Sequence, residues 1–503
     1  MNEPLRIRSN PTRVLALAVL ASSIVFGCSD SGPGLDGGLA DAELRTDAAG
    51  GDAGVTRDGS PPTDADSSDR AFPADGAVSD SGSNSDASPA SDGGQDAGQR
   101  TECNLASVRC VDDTLGPTQE YVTIQAAANA VQPGDSVLVA SGRYAGFQVD
   151  TSGTRSARIL FRALGSDVVL DSPAGTGDGV RLQNVSFVTI EGFRIESPPE
   201  RCIAARGATP ESPMLELELR GNTCRSSGVE GFYLSEVGSS LVEANDISGS
   251  GASGDTRSHG IYLANAGSDG TVIRRNMISD AGPAESNGIH VNGDLSVGGD
   301  GLVSGLTIEQ NVIRGNAQNG INLDGVDSSV IRNNLIFGNA RNAVRAYAID
   351  GAQGPRDLRI VNNSLVTGSN GWAIKLSEDR GGHVVFNNVL LSGSSDTGAI
   401  SVESASLIET ASNVVVGRFS ADGDSSVISL AEWQELGLEV GSIEGSATDL
   451  FVDPELDLRL RAGAAAVDRG VSRFAGVEAP SVDFEGSPRP TGAGIDVGGH
   501  ERP

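Results

Sequence analysis

From about residue 180 onward, short stretches of alternating apolar and polar residues recur along the chain. Each stretch opens with a small residue, and its two apolar positions are separated by one polar position. The copies begin at Gly231, Gly260, Gly288, Gly320, Ala343, Ala373 and Ala399. Because successive side chains of a strand point to opposite faces, alternation with a period of two predicts β-strands. The chain is therefore expected to contain many short strands at regular intervals.

An asparagine between apolar pairs forms a second recurring pattern. These asparagines are Asn222, Asn245, Asn276, Asn311, Asn334, Asn363 and Asn388, at spacings of 23, 31, 35, 23, 29 and 25 residues. A period in the twenties with occasional insertions predicts a solenoid. Leucine-rich repeats have a similar period, but leucine does not dominate the apolar positions here. One asparagine per coil, flanked by β-branched residues, favours a parallel β-helix, in which stacked asparagines hydrogen-bond to each other and to the backbone at a turn.

The ends of such a stack need covers, because an open stack exposes the edges of its strands. Residues 123–131 are the best helical stretch of the chain, with Thr123 as a possible N-cap. Pro133, Gly134 and Asp135 end this stretch, and residues 136–144 are predicted to begin the first coils. The sequence thus predicts an N-terminal capping helix.

Two longer segments resemble a known family. Residues 123–144 (TIQAAANAVQPGDSVLVASGRY) resemble the N-terminal cap of pectate-lyase-like β-helix proteins, which include alginate lyases and chondroitinase B-type enzymes. Residues 449–470 (DLFVDPELDLRLRAGAAAVDRG), followed by GIDVGGHE, resemble the closing segment of many secreted β-helix proteins. The resemblance covers residues 118–500 and implies an all-β fold, a single right-handed parallel β-helix over residues 102–503. It is specific for the fold rather than for a reaction.

In each strand of the first pattern the apolar residues are expected to point inward and the polar residues outward. Aligning the coils then gives two outward columns of side chains. The first column reads Arg181, Ala204, Tyr233, Tyr262, His290, Asn322, Arg345, Lys375 and Ser401. The second column reads Gln183, Arg206, Ser235, Ala264, Asn292, Asp324, Tyr347, Ser377 and Glu403. Because rungs lie about 4.8 Å apart, close to the repeat of an extended sugar chain, this face could match one sugar ring per rung.

The middle coils of this face concentrate aromatic, amide and charged residues, and insertions gather beside them at residues 248–258, 292–305 and 350–357. Loops that cluster beside one part of a solenoid commonly wall a binding site. The candidates for substrate binding are Asn322, Asn292, Tyr262 and Tyr233. His259, at the start of a strand beside a loop, is interpreted as a packing histidine.

A β-elimination on a uronic-acid polymer needs a group that neutralises the carboxylate, a base, and a proton donor. Lys375, the only lysine of the chain, is expected to neighbour Arg345, and two cations so close favour a neutral amine that can act as base. The candidate catalytic residues are Lys375, Arg345, His290 and Tyr347. Asp324 and Asp294 are candidate ligands of Ca²⁺, the one cofactor that the sequence suggests. Alternatively, Arg345 and Lys375 pair with Asp324, Asp350 or Glu378. In the lyases of the resembling family the lysine lies on the earlier coil, whereas here the arginine comes first.

The N-terminus predicts export. Arg6, Arg8 and Arg13 precede an apolar run over residues 14–26, which has the length of a signal-peptide core and is too short to span a bilayer. The run ends at Cys28 in a sequence that resembles the lipobox of bacterial lipoproteins. That resemblance implies a signal peptide over residues 1–27 and a lipid on Cys28, and Ser29 is compatible with sorting to the outer membrane. The alternative is an ordinary secretory signal cut nearby.

Residues 28–101 are dominated by Asp, Gly, Ser, Ala, Pro and Thr. With so few large apolar residues, this stretch is predicted to be a disordered acidic linker between the membrane and the folded domain. The whole chain carries a formal net charge of −31. Such an acid excess argues against nucleic acid as a partner.

Five cysteines are present, and four of them remain once Cys28 is assigned to lipid. Cys103 and Cys110 could close a small loop, and Cys202 and Cys224 lie about one coil apart. An exported protein permits disulfides, but the sequence leaves the pairing open.

Two functions follow from these patterns. The first is a cell-surface lipoprotein whose β-helix groove holds an acidic polysaccharide and cleaves it as a polysaccharide lyase, or acts as a uronate epimerase. The second is a non-catalytic β-helix that binds glycan or serves as an adhesive or structural module.

Overall fold

A computed structural model describes residues 103, 105–113, 120–175 and 177–502. The predicted signal peptide, Cys28 and the whole predicted linker lie outside these residues. In the part of the chain that is described, no helix has the length and hydrophobicity needed to cross a membrane.

Three long sheets, each with 12 strands, make up the described domain. Sheet 1 contains Val108–Val111, Ser136–Val139, Ile159–Ala163, Val188–Glu191, Glu218–Arg220, Leu241–Glu243, Val272–Arg274, Thr307–Glu309, Val330–Arg332, Arg359–Val361, His383–Phe386 and Ile408–Ala411. Sheet 2 contains Gly142–Ala145, Val168–Ser172, Arg194–Glu196, Thr223–Arg225, Asp246–Ser248, Met277–Ser279, Val312–Arg314, Leu335–Phe337, Ser364–Thr367, Val389–Ser392, Val414–Val415 and Ile443–Glu444. Sheet 3 contains Phe147–Val149, Val180–Gln183, Ile203–Arg206, Phe232–Ser235, Ile261–Ala264, Ile289–Asn292, Ile321–Asp324, Val344–Tyr347, Ile374–Leu376, Ile400–Ser401, Arg418–Ser420 and Ile428–Ser429.

The chain visits sheets 1, 2 and 3 in turn, and every neighbouring pair of strands is parallel except the last pair of sheet 3. This is the right-handed parallel β-helix that the repeats predict. Four small two-stranded sheets are separate from these three sheets. They pair Met214–Leu215 with Val237–Gly238, Val303–Ser304 with Val326–Asp327, Phe451–Asp453 with Asp457–Leu460, and Arg473–Phe474 with Val477–Glu478.

The interior of the solenoid is a continuous apolar core. The first apolar position of each sheet 3 strand stacks on the next, from Ile261 through Ile289 and Ile321 to Val344, and all four are 0% exposed. Burial of such β-branched columns supplies the main driving force for folding, about 25 cal/mol per Å² of apolar surface removed from water.

The predicted asparagine ladder is present at the turn between sheets 1 and 2. Asn311 shows its bonding: its Nδ2 donates to the Oδ1 of Asn334 at 3.0 Å and to the carbonyl of Ile273 at 2.9 Å. The same pattern links all seven asparagines and adds an eighth, Asn413, after Asn388. Each side chain thereby satisfies turn groups that water cannot reach.

The ladder ends on a buried carboxylate. The Nδ2 of Asn413 donates to both oxygens of Glu439, at 3.0 and 2.9 Å, and the hydroxyl of Ser442 also donates to this carboxylate. Burial raises the pKa of Glu439 from its ordinary value of 4.5 to about 7, against the lowering effect of these hydrogen bonds.

Glu439 should therefore make stability depend on pH. Between pH 4.5 and about 7 the folded protein holds a proton that the unfolded chain has released, so stability falls as pH rises through this interval. We expect the free energy of unfolding to be about 3 kcal/mol lower at pH 8 than at pH 4 on account of this group. Denaturant titrations of Glu439→Gln at several pH values should not show this fall in the free energy of unfolding. Glu435→Gln, on the exposed cap surface, serves as control, and an unchanged slope in Glu439→Gln would contradict the assignment.

Both ends of the solenoid are covered. At the N-terminal end the helix is Ile124–Ala128, shorter than the predicted 123–131, and the side chain of Thr123 accepts the N-cap bond from Ala126 at 3.2 Å. The strand Val108–Val111 joins sheet 1 ahead of this helix, so the solenoid includes residues that precede the helix. At the C-terminal end the cover is the helix Leu430–Glu435, which the sequence analysis missed.

Residues 446–502, here called the C-terminal strap, run back along the outside of the solenoid and include the helix Ala447–Leu450. The strap contains the two segments that resemble a closing segment, and it covers a side of the stack rather than its end. Apolar residues of sheet 2 and of the strap form one cluster, which includes Leu335, Phe337, Val389, Leu450, Phe451 and Leu458. Gln310, Asn333, Asn362 and Asn387, each one position before a ladder asparagine, donate side-chain hydrogen bonds to strap carbonyls at 2.8–3.0 Å.

Two disulfides are present, Cys103–Cys110 and Cys202–Cys224. The first holds the chain to the first strand of sheet 1. The second lies in the core between neighbouring coils.

Candidate functional site

The predicted outward columns are real. The strands of sheet 3 pair in a register that places the first column side by side from Arg181 to Ser401 without a break. The second column is in register from Gln183 to Tyr347, whereas Ser377 and Glu403 lie beyond the ends of their strands. We call this outward side of sheet 3 the groove face.

Loops border the groove face on both edges. The insertion at residues 248–258 lies between a sheet 2 strand and a sheet 3 strand. The insertions at 292–305 and 350–357 follow sheet 3 strands on the opposite edge, and they bond to each other. The amide of Leu295 donates to the carbonyl of Asp350, and that of Ala352 donates to Gly301, both at 2.9 Å.

Aromatic rings occupy the centre of the groove face. The ring centroids of Tyr262 and His290 lie 4.9 Å apart at an interplanar angle of 31°. His259 packs behind them, 5.2 Å from Tyr262 and 4.6 Å from His290, which is the packing role expected for it. Tyr233 lies edge-on to Tyr262 at 5.5 Å. Tyr262 and His290 are partly exposed, so they offer a surface on which a sugar ring could stack.

Both histidines of this centre are held neutral. Burial, with a smaller contribution from the charge of Arg345, lowers the pKa of His290 to about 4. Burial also lowers the pKa of His259 well below its ordinary value. The Nδ1 of His290 lies 2.9 Å from the Nδ2 of Asn322, so the neutral ring accepts there and carries its proton on Nε2. A ring in this state donates a hydrogen bond through Nε2.

Asn322 connects three groups of the groove face. Its Oδ1 accepts from the Nδ2 of Asn319 at 3.1 Å, which orients the amide. Its Nδ2 then faces the Nδ1 of His290 and the hydroxyl of Tyr347, which accepts at 2.8 Å. The buried amide therefore fixes His290 and Tyr347 relative to each other. Asn292, on the neighbouring rung, places its Nδ2 3.4 Å from the hydroxyl of Tyr262 and 3.3 Å from the carboxylate of Asp350.

Two arginines of the groove face lack a carboxylate partner. The guanidinium carbon of Arg345 lies 4.2 Å from the ring centroid of Tyr347, and that of Arg206 lies 4.6 Å from the centroid of Tyr233. The Nε of each is buried without a hydrogen-bond partner, and in the described part of the chain no carboxylate lies within ion-pair distance of either. Arg201 also lies over the Tyr233 ring, but it pairs with Glu230 at 2.7 Å.

Lys375 neighbours Arg345, as predicted, but its ion-pair partner is none of the three acidic residues that the sequence analysis considered. Its ammonium forms an ion pair with Asp424, whose other oxygen accepts from the hydroxyl of Ser401. A neutral amine would lose this ion pair, so the geometry does not support Lys375 as the base. Asp424 lies beyond the last repeat, so the alignment of the repeats does not include it.

The calcium assignment does not fit this site. The oxygens of Asp324 already accept from the backbone amides of Ile349, Asp350 and Gly351 at 2.9–3.0 Å, and its side chain is 2% exposed. Asp294 caps the short 3₁₀ helix Leu295–Val297. Asp324 therefore anchors a loop that borders the groove, and Asp294 stabilises the facing loop. A second 3₁₀ helix is Ala405–Leu407. Among the described residues, the one group of three side chains spaced to hold a metal is Asp483, Glu485 and His500, in the strap.

The structure thus brings together seven of the proposed residues: His290, Tyr347, Arg345, Asn322, Asn292, Tyr262 and Tyr233. The sequence analysis placed Arg206 in the second column without assigning it a role. The sequence could have identified Arg206 as a candidate binding residue, because it lies one rung from Tyr233 on a face that the repeats already defined. Asp424 and Asn319 carried no such signal.

Comparisons with known proteins agree with this architecture. The profile of a family described as "Right handed beta helix region" matches residues 255–415. A search of curated proteins found no significant match. The crystal structure of pectate lyase Pel9A is similar at a TM-score of 0.53 and 15% identity, covering 79% of this chain and 96% of that chain. The A-module of the mannuronan C-5 epimerase AlgE6 from Azotobacter vinelandii matches at a TM-score of 0.42 and 16% identity, over 64% of this chain and 91% of that one. An alginate lyase from Paenibacillus sp. str. FPU-7 matches at a TM-score of 0.36 and 18% identity, over 55% and 94% of the two chains. At 15% identity the likeness to the pectate lyase shows the fold alone.

Proposed function

We propose that this protein binds an acidic polysaccharide along the groove face. The observation that carries the proposal is the pair of stacked arginines, Arg206 and Arg345, whose guanidinium groups bind no carboxylate among the described residues. The chain has 67 acidic residues against 36 basic ones, so a shortage of carboxylates does not explain the lack of a partner at these two arginines. Two arginines left without one, on the same face, fit the carboxylates of a ligand.

The geometry of the face suits a long polymer. Arg206 and Arg345 lie five rungs apart, which corresponds to about 24 Å at the spacing of parallel strands. Tyr262 and His290 lie between them and offer apolar ring surface with hydrogen-bonding edges. An extended sugar chain could follow the rungs, stack on the rings and place acidic groups at both arginines. The pectate lyase of similar fold acts, by its name, on an acidic polysaccharide.

Binding measurements on arginine variants test this proposal. We expect Arg345→Ala and Arg206→Ala each to weaken the binding of acidic polysaccharides by about 10- to 100-fold, because a charge-assisted hydrogen bond contributes about 1.5–3 kcal/mol. Isothermal titration of the full chain with uronate polymers measures the effect. Arg314→Ala removes the same charge from sheet 2 and serves as control. Equal affinities in all three variants, or no binding of any acidic polymer, would exclude the groove face as the site.

Cleavage by β-elimination is a second candidate, favoured by the hydrogen bonds that join His290 and Tyr347 through Asn322 beside Arg345. In that reaction Arg345 would neutralise the uronate carboxylate, and the Tyr347 oxygen, as phenolate, would take the proton α to that carboxylate. As the C–O bond breaks and the C=C bond forms, the resulting Tyr347 hydroxyl would return this proton to the leaving oxygen, to which the Nε2–H of His290 would donate a hydrogen bond. Incubation of the same polymers with the full chain, followed by the ultraviolet absorbance of unsaturated uronate ends, separates binding from cleavage. Binding without new absorbance would exclude β-elimination of these polymers and support the non-catalytic function.

The proposal includes a location at the outer membrane or cell surface, through a lipid on Cys28 and a linker over residues 28–101. Cys28→Ala is expected to move the full chain from the membrane fraction to the soluble fraction. Without the cysteine the chain cannot be lipidated, and it loses the acyl chains that together would anchor it firmly. Fractionation followed by immunoblotting measures this, with Ser29→Ala as control. A Cys28→Ala chain that stays with the membranes would show that another segment anchors it.

A further inference from the structure

Three side chains of types that bind metals meet in the C-terminal strap, outside the groove face. One carboxylate oxygen each of Asp483 and Glu485 and one ring nitrogen of His500 all lie within 4.8 Å of one another. Asp483 and Glu485 share one turn, whereas His500 comes from a later segment of the strap. The fold of the strap therefore brings one nitrogen donor and two oxygen donors to the same place.

The ring of His500 is buried without a hydrogen bond. The residue is 6% exposed, and its ring packs edge-on against Phe484 at a centroid distance of 5.3 Å. Neither ring nitrogen is hydrogen-bonded to another residue that the structure describes. Burial lowers the pKa of His500 to about 4, so the ring is neutral at physiological pH. Buried polar groups normally have partners, and a neutral imidazole is the form that binds a metal ion.

The carboxylate of Asp483 is held in a fixed orientation. Its Oδ1 accepts from the amides of Glu485 and Ser487 at 2.9 and 2.7 Å, and its Oδ2 accepts from the amide of Glu501 at 3.0 Å. A carboxylate has about four acceptor positions, so Oδ2 keeps one of them for an ion. Carboxylates that ligate metals are commonly hydrogen-bonded in this way. Asp324 is also bonded to amides, but among the described residues no set of three metal-binding side chains includes it.

The surroundings of the three side chains leave two negative charges without a counter-charge. Two ion pairs lie beside them: Asp457 with Arg459 at 2.9 Å, and Glu501 with Arg489 at 2.7 Å. Each of these pairs is neutral as a whole, and within the described ranges neither Asp483 nor Glu485 has an ion-pair partner of its own. A divalent cation carries the charge that balances these two carboxylates.

We infer that Asp483, Glu485 and His500 bind one divalent transition-metal ion, and that Zn²⁺ fits the donor set best. Zinc takes histidine nitrogens and carboxylate oxygens at about 2.0–2.2 Å and prefers four ligands in a tetrahedron. The strap supplies three of them and leaves the fourth position to water. Donors on such an ion lie about 3.4 Å apart, so a modest rotation of the exposed Glu485 side chain completes the site. Ca²⁺ fits less well, because it takes six to eight oxygen ligands.

A bound ion would fasten the end of the strap. The turn that contains Asp483 is bonded to the solenoid, because Gln310 donates to the carbonyl of Asp483 at 2.8 Å and Asn333 donates to that of Val482 at 2.9 Å. The ion would join His500 to this turn and hence to the solenoid. Because the three donors come together only in the folded chain, metal binding would stabilise the folded state.

Isothermal titration of the full, chelator-treated chain with Zn²⁺ tests the inference. Glu485→Gln keeps the shape of an exposed side chain and removes one ligand charge. We expect it to weaken Zn²⁺ binding by about tenfold or more, because even the loss of a group that only supports a metal ligand costs about 10- to 100-fold. Glu478→Gln makes the same substitution at another exposed position of the strap and should bind Zn²⁺ like the unchanged protein. Equal Zn²⁺ affinity in the two variants, or no binding by the unchanged protein, would overturn the inference.

Thermal unfolding gives a second, independent readout. We expect Zn²⁺ to raise the Tm of the unchanged protein and of Glu478→Gln by several degrees, and to leave the Tm of Glu485→Gln and His500→Asn nearly unchanged. Circular dichroism without metal shows whether the buried His500→Asn substitution still allows folding, and Glu485→Gln carries the test if it does not. A Tm that Zn²⁺ raises equally in Glu485→Gln and Glu478→Gln would place the ion elsewhere on the chain and overturn the inference.

Discussion

Asn311→Ala is expected to lower the free energy of unfolding by about 2–6 kcal/mol, because two buried donors lose their acceptor and each such loss costs about 1–3 kcal/mol. The Oδ1 of Asn311 accepts from the backbone amide and from the Nδ2 of Asn276, each at 3.0 Å. Alanine offers no acceptor, and the side chains are 0–1% exposed, so water cannot replace it. The ladder continues on both sides, which leaves the neighbouring coils little freedom to rearrange.

Chemical denaturation of the full chain measures this effect. Asn370→Ala, at an exposed loop position, removes the same side chain where water can satisfy every group and should change stability by less than about 0.5 kcal/mol. A loss in Asn311→Ala no greater than that of Asn370→Ala would mean that the ladder contributes no net stability.

Trp433→Ala is expected to destabilise the protein by about 3–5 kcal/mol, the usual cost of removing a large aromatic ring from a core. Trp433 is 0% exposed and its ring stacks on Phe419 at a centroid distance of 4.8 Å. It projects from the helix Leu430–Glu435, whose start is fixed by a capping box between Ser429 and Glu432. The tryptophan closes the last coil, and its loss would expose the apolar core at that end.

Thermal and denaturant unfolding, together with the binding of a hydrophobic dye, test the role of Trp433. Leu436→Ala alters a residue at the end of the same helix that is 52% exposed, and it should behave like the unchanged protein. If both variants unfold alike and neither binds dye, the helix does not seal the core.

Most of the fold could be predicted from the repeats. The asparagines at intervals of 23–35 residues and the alternating strands predicted the solenoid, the ladder and the register of the groove face. They could do so because a parallel β-helix is built from contacts between equivalent positions of successive coils. Aligning the repeats is then equivalent to aligning neighbours in space. His290, Asn322 and Arg345 were found together for this reason alone.

The errors lie where contacts join segments that do not repeat. Lys375 was assigned as a base because its partner, Asp424, comes from a loop after the last repeat. Asp324 was assigned to calcium because nothing in its own coil shows that Ile349, Asp350 and Gly351 donate to it. The terminal helix with Trp433 is a single non-repeating segment, and periodicity carries no information about such segments.

The sequence by itself determined the stacking of the coils, because equivalent positions of successive repeats come into register and the hydrogen-bonding groups of each coil are satisfied by the next coil. Only the tertiary structure decided which charges of the groove face remain available to a ligand. In it Asp424 neutralises Lys375 and backbone amides occupy Asp324, whereas Arg206 and Arg345 are stacked on tyrosines and have no carboxylate partner in the described part of the chain. The physical reason is that the charge state and partners of a side chain depend on every group within a few ångströms, and loops far away in the chain supply those groups.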